Sequence, residues 1–386
     1  MSIRNARTIR VFPLATALMV ASALAAADVP HFAGVISQLT GGLPSSEIVP
    51  DVPIDAIPPL IEPAFLPAAA TAVIEDADFV LGVAIGDEAF AYPFKIMNFH
   101  EIVEHKVGGQ PIIATFCPLT NSGVILEGGD ISFGNTGALY NNNVVMYDRQ
   151  TRSFWSQMAL GCIFGDRAGE HLKTLPGVQT TWGAWKALYP ETEILSENTG
   201  YARNYAQDPF VDFGYTANRD IFFIQSPPID QRMHPKSMVY GLAIDGDARA
   251  YPYELLAQTN VVNDRFGGVD MLVVYDVEGQ MPLGYLRQVG DIVHHFSAAG
   301  EDEKGFPLMV DFETGSTWNV LGAAVDGPLE GWQLTPIAAY SAYWFGWASF
   351  WQDTEIWDGG NIAPPPTGVE ARSWGGLKAI RSTSGR

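Results

Sequence analysis

Basic residues are scarce in this chain: 22 Lys and Arg stand against 43 Asp and Glu, a formal charge of −21. Such a surface has no electrostatic footprint for nucleic-acid phosphates or for an anionic membrane. Cysteine is nearly absent, with only Cys117 and Cys162. That excludes a disulfide-built scaffold and a cysteine-rich zinc module. Long apolar runs are missing beyond the N-terminus, so no later segment reads as a membrane span. Phosphate loops of the Walker or Rossmann type, a Gly-x-Ser-x-Gly elbow and a His-Glu-x-x-His zinc motif are also missing. Each absence removes an enzyme class. In contrast, Gly (39) and Pro (26) are abundant and 47% of residues are hydrophobic, which points to many turns around a sizeable core.

The N-terminus carries an address. Arg4, Arg7 and Arg10 precede an apolar run from Val11 to Ala27, which ends in small residues before Asp28. This order is that of a secretory signal peptide. Residues 1–27 are therefore expected to be removed, leaving a secreted or periplasmic protein with no stable membrane span. Residues 28–75 form a Pro-rich lead-in, with seven prolines between 43 and 67, expected to run extended along the surface. Residues 359–386, rich in Gly, Pro and Ser, read as a flexible tail.

Between these ends the chain repeats itself. Residues 82–116 and 241–275 align without a gap, at an offset of 159, with ten of 35 positions identical; roughly two would match by chance. A second block pairs 146–155 with 309–318. The expected organisation is repeat unit 1 at 76–198, a connector at 199–236 and repeat unit 2 at 237–358. Short apolar stretches bounded by Gly-Asp, Gly-Gly and Asn-rich turns read as strands, and Trp182 to Leu188 reads as a helix. The fold class is mainly β (α+β): two tandem, internally duplicated β-rich units with a few short helices, packed pseudo-symmetrically.

Duplication offers an internal test. Residues shared by both units serve the fold, and reactive residues present in one unit are candidates for function. Unit 1 has His100, Glu101, His105 and Cys117 where unit 2 has Thr259, Asn260, Asp264 and Asp276. Cys117, His100 and Glu101 are thus candidate catalytic residues, and His100 with Cys117 a candidate metal pair. A thiolate and an imidazole, with a Met sulfur such as that of Met146, favour a soft ion such as copper. His294 and His295 are further potential ligands. Asn121, Ser122, Tyr140 and Gln157 are candidate ligand-binding residues around the pair. For Cys117 three readings stand: a disulfide with Cys162, an inert buried thiol, or a reactive or metal-binding thiolate.

The stretches AYPFKIMNFHEIVEHKVGG, FCPLTNSGV and YNNNVVMYDRQTRSFWSQ, with GYARNYAQDPF and DQRMHPKSMVYGLAIDGDARAYP, resemble an exported bacterial and archaeal family called domain of unknown function 3179. The resemblance runs from about Pro58 to Trp357. It implies no activity. Where members of that family carry a second cysteine, this chain has Thr120, so a dithiol switch in that loop is not implied. Two functional expectations remain. One is a thiol- or metal-dependent redox enzyme with its site in unit 1. The other is a non-catalytic module that binds a small molecule or a protein partner in the cleft between the units.

Overall fold

The computed structural model describes residues 49–50, 52–70, 74–208, 210, 215–218, 220–221 and 229–363. The expected signal peptide lies outside them. The chain is mainly β with four short helices among the described residues: Phe94–His100, Trp182–Leu188, Tyr253–Leu256 and Trp344–Phe350. None is long and apolar enough to cross a membrane.

Three sheets occupy the first part of the chain. In the first, Phe79–Ile85 pairs with the hairpin partner Glu88–Pro93, flanked by Val178–Thr181 and Glu193–Leu195. In the second, Ile102–Val107, Gln110–Cys117 and Ser122–Glu127 form a meander. In the third, Phe133–Tyr140, Asn143–Asp148, Phe154–Ser156 and Gly161–Phe164 follow in order. The second part runs through the same order. Met238–Ile244 and Asp247–Pro252 lie between Tyr340–Tyr343 and Glu355–Ile356. Val261–Phe266, Val269–Asp276 and Met281–Leu286 form the next meander, and Phe296–Glu301 opens a four-stranded sheet. The registers run in step: Gly82 faces Ala91 as Gly241 faces Ala250, and Cys117 faces Ser122 as Asp276 faces Met281.

The Pro-rich lead-in is more ordered than its composition suggests. It supplies one edge strand to each sheet of the first half: Val49–Pro50, Leu60–Ile61 and Phe65–Pro67. Proline is tolerated at an edge, where its missing N–H is not needed by a neighbour. The start of the tail is also held, because Ile362 N–H donates to the Asn263 carbonyl at 2.9 Å.

Tryptophan sets the spacing of helix and sheet. Trp185 and Trp347 each lie flat on a strand glycine, with their indole N–H groups donating to Thr192 and Thr354 at 2.9 Å. A Cβ on Gly82 would sit 2.4 Å from the Trp185 ring, and one on Gly241 would sit 2.2 Å from that of Trp347. These glycines are required for close approach rather than for backbone freedom.

The two halves share a core. Leu119, Val124 and Met158 pack in one cluster with Val239, Ala342 and Trp347. Their junction is reciprocal. Tyr343 N–H donates to the Thr120 carbonyl at 2.8 Å, and Thr181 N–H donates to the Gly279 carbonyl at 3.1 Å. Gly346 packs against Thr120, while Ala184 packs against Gly279. In the alignment of the halves, position 120 corresponds to 279, 181 to 343 and 184 to 346. Contact i to j is therefore repeated as j to i.

Gly82→Ala and Gly241→Ala are each expected to lower stability by about 1–3 kcal/mol, because buried indoles leave no room for the added carbon. Denaturant unfolding would measure this. Unchanged midpoints would refute the flat Trp–Gly stacking.

Candidate functional site

The residues singled out in the first half do not form one reactive centre. His100 ends the helix Phe94–His100, and both of its ring nitrogens are engaged. Nδ1 meets the Pro58 carbonyl at 2.9 Å and Nε2 meets the Tyr205 hydroxyl at 2.6 Å. Burial, helped by the Arg203 cation, holds its pKa below the usual histidine value, against the opposing Pro58 bond. Glu101 caps that helix with a positive φ of 59° and accepts from Asn135 Nδ2 at 2.7 Å. It thereby pins the strand Phe133–Tyr140 to the helix end. Its backbone carbonyl accepts from Phe116 N–H, as the Asn260 carbonyl accepts from Tyr275 N–H in the second half.

Cys117 ends the strand Gln110–Cys117 and is 1% exposed. Burial, with the nearby Glu101 charge adding to it, pushes its thiol up to about 11. A group in that state is a thiol at neutral pH and is sealed from substrate. Both cysteines are free, so the disulfide reading does not hold. No hydrogen bond joins Cys117 to His100 among the described residues. The donor set for a soft metal does not fit either, since His100 would have to abandon Pro58 or Tyr205 and the thiol resists ionisation.

Ser122 and Gln157 do meet. Ser122 Oγ donates to Gln157 Oε1 at 2.8 Å, and Asn143 Nδ2 reaches Thr120 Oγ1, Ser122 Oγ and Gln157 Oε1 within 3.1 Å. Gln157 Nε2 continues to Thr115 Oγ1 at 3.0 Å. All these side chains are fully buried, and the network is closed on itself. A satisfied buried network of this kind fixes a loop geometry rather than binding a ligand. Tyr140 packs edge-on against Phe350 at 5.4 Å. Met146 lies in the apolar core.

One cluster of possible metal ligands occurs among the described residues: His294, Asp311 and Glu313. Asp311 is already occupied by a turn, accepting from Thr314 N–H at 2.6 Å, Thr314 Oγ1 at 2.8 Å and Trp318 Nε1 at 2.8 Å. Asp148 anchors the same turn in the first half through Thr151 and Trp155, without a histidine. The carboxylate belongs to the fold.

The concave feature with mixed chemistry lies elsewhere, at the junction. A cavity of about 610 Å³ opens between the halves, and Asn121 alone of the expected site residues lines it. Three pairs of matched positions contribute to its walls, Phe79 and Met238, Phe94 and Tyr253, and Asn121 and Gln280, beside residues of the first half and the connector alone. Each pair is 159 residues apart, so both halves contribute to the cavity. Phe116 backs Phe94 in a stack with ring centroids 4.0 Å apart. Polar groups mark the rim. Lys95 pairs with Asp78 at 2.6 Å, and Asn98 Nδ2 donates to Asp208 at 2.9 Å. Connector residues, including Lys236, close one side.

A test based on reactive residues unique to one half points away from such a site, because its walls are mainly aromatic, amide and connector residues. The signal that was available is the divergence at matched positions, Phe94 against Tyr253 and Asn121 against Gln280. His105 illustrates the opposite case. It accompanies Tyr92 at 2.6 Å, and Asp264 accepts from Tyr251 at 2.7 Å in the second half. The two are alternative partners for one tyrosine hydroxyl.

Burial holds the His105 pKa down to about 4. The unfolded chain, with a histidine near 6.5, takes up a proton that the folded chain refuses. This contribution to stability is present above pH 6.5 and is lost as pH falls towards 4, with a span of up to about 3 kcal/mol. His105→Gln should lose less stability than wild type between pH 7 and 4.5 in denaturant titrations. Equal losses would refute the assignment.

No curated protein and no solved structure matches this chain. Residues 54–354 match the model of a family described as protein of unknown function (DUF3179). The chain belongs to that family.

Proposed function

We propose that this protein is an exported binding module, built from two copies of one β-rich unit, that takes a small organic ligand in the cavity between them. The observation that carries the reading is the lining of that cavity by residues of both halves and of the connector, with three matched pairs among them. Its volume of about 610 Å³ falls in the range of small-molecule sites, which favour interfaces of this kind. Aromatic walls offer flat apolar surface, and the amides of Asn98, Asn121 and Gln280 offer hydrogen bonds. The matched registers and reciprocal junction contacts support the two-copy origin. Thiol chemistry finds less support, because Cys117 is buried with its ionisation suppressed.

Export rests on the N-terminal pattern of residues 1–27. Intact mass of protein recovered from outside the cytoplasm should correspond to cleavage after Ala25 or Ala27. A full-length chain retained in the cytoplasm would refute export.

Binding can be tested with a panel of fluorinated aromatic fragments, followed by ligand-observed NMR. The expected result is a set of mutually competitive fragments. Ala77→Trp, at an exposed position on the cavity wall, should weaken them by about tenfold or more without lowering the melting temperature. Absence of any competitive set, or binding unaffected by the Trp plug, would overturn the reading.

A further inference from the structure

We propose that the ligand of this cavity carries a carboxylate on a planar apolar body, and that the Lys236 ammonium recognises it. This rests on the cavity being the binding site. Lys236 lines the cavity and is 7% exposed. Its Nζ donates to the Tyr215 carbonyl and to Asn218 Oδ1, the latter at 3.0 Å, and lies 3.5 Å from the Tyr215 ring centroid. All of these partners are neutral. No carboxylate forms an ion pair with Lys236 among the described residues, whereas Lys95, the other cation of the cavity, is neutralised by Asp78 at 2.6 Å. A buried cation without a counter-charge is costly, and an entering anion relieves that cost.

The number of charges limits the anion. An ammonium supplies three donors, of which two have acceptors here, so one remains for a ligand oxygen. A single lysine suits a monoanion, and the Asp208 carboxylate on the same wall opposes a second negative charge. The stacked rings of Phe94 and Phe116, with Tyr253 and Tyr343, leave an apolar slot for the rest of the molecule. Burial also pushes the Lys236 pKa down to about 8, although Asp220 opposes it. That direction is expected of a buried ammonium in no direct ion pair.

The probes are cinnamate and its neutral isostere cinnamamide, measured by calorimetry on the mature protein. Cinnamate should bind about tenfold or more tightly than cinnamamide, the scale of a charge-assisted hydrogen bond. Lys236→Met should erase that preference, while Lys236→Arg should retain part of it. Should Lys236→Met not fold, the wild-type pH profile serves instead. Asp208, Asp220, Tyr215 and Tyr343 lie in this region, and burial holds both tyrosines protonated well above neutral pH. Cinnamate affinity should therefore fall above about pH 8 with deprotonation of Lys236, and cinnamamide affinity should stay level. Equal binding of the two probes, or a flat pH profile for cinnamate, would overturn the role of Lys236 and leave the cavity reading intact. Binding of either probe that survives Ala77→Trp would overturn the cavity itself. Absence of binding by both would overturn this ligand class.

Discussion

The reciprocal pair of backbone bonds, Tyr343 to Thr120 and Thr181 to Gly279, is the constraint on which the architecture turns. Each bond joins a strand end in one half to the loop after the second meander strand in the other. Because the loop in each half receives the strand of the other, the halves cannot slide or rotate independently without breaking both. The Trp–Gly stacks reinforce this, since the helices that follow Thr181 and Tyr343 are the ones whose indoles lie on Gly82 and Gly241. The packing inside each half therefore sets the junction between them.

The same constraint explains the closed polar network behind the loop. Thr120 offers its carbonyl to Tyr343, and its hydroxyl is fixed by Ser122 and Asn143. Gln157 completes the set from the turn after the strand Phe154–Ser156. The second half does without this network, as Gly279 N–H donates instead to the Asp276 carboxylate at 2.8 Å. Cys117 and Asp276 occupy matched positions, and each stands at the root of the loop. The chemical difference between halves at this position is thus two ways of shaping one turn, and need not signal reactivity.

Much of the fold was legible because period and punctuation recur in both halves: the Tyr-Pro pairs, the Gly-Gly turns and the Asp-anchored turn before Trp155 and Trp318. The Trp-x-x-Trp helices at 182–185 and 344–347 carry the same information and extend the correspondence to the junction. Less legible was the role of the lead-in, whose prolines argue against a sheet interior but leave the edges open. The site was harder still. His105 looks reactive when isolated, yet its surroundings are the aromatic rings of Phe65 and Phe90, at 4.5 and 4.8 Å. In the second half Arg249 takes the place of Phe90 and binds Asp264 at 2.6 Å. A neutral aromatic cluster has been exchanged for an ion pair, position by position, around one tyrosine hydroxyl. Sequence comparison of the halves sees only the loss of a histidine. The compensation becomes visible when both partners are in place.

The cavity is lined from both halves, yet unequally. Identical halves would present each wall twice, and an asymmetric ligand would meet the same groups in either orientation. Divergence at matched positions removes that degeneracy: Phe94 against Tyr253, Asn121 against Gln280, and Lys95 against Glu254. The connector removes the rest, because it covers one side and lies outside both repeated segments. Lys236 belongs to that one-sided element. Its ammonium, in no ion pair among the described residues, gives the cavity a direction that neither half supplies, and a ligand with one charged end and one apolar end is the shape such a direction selects.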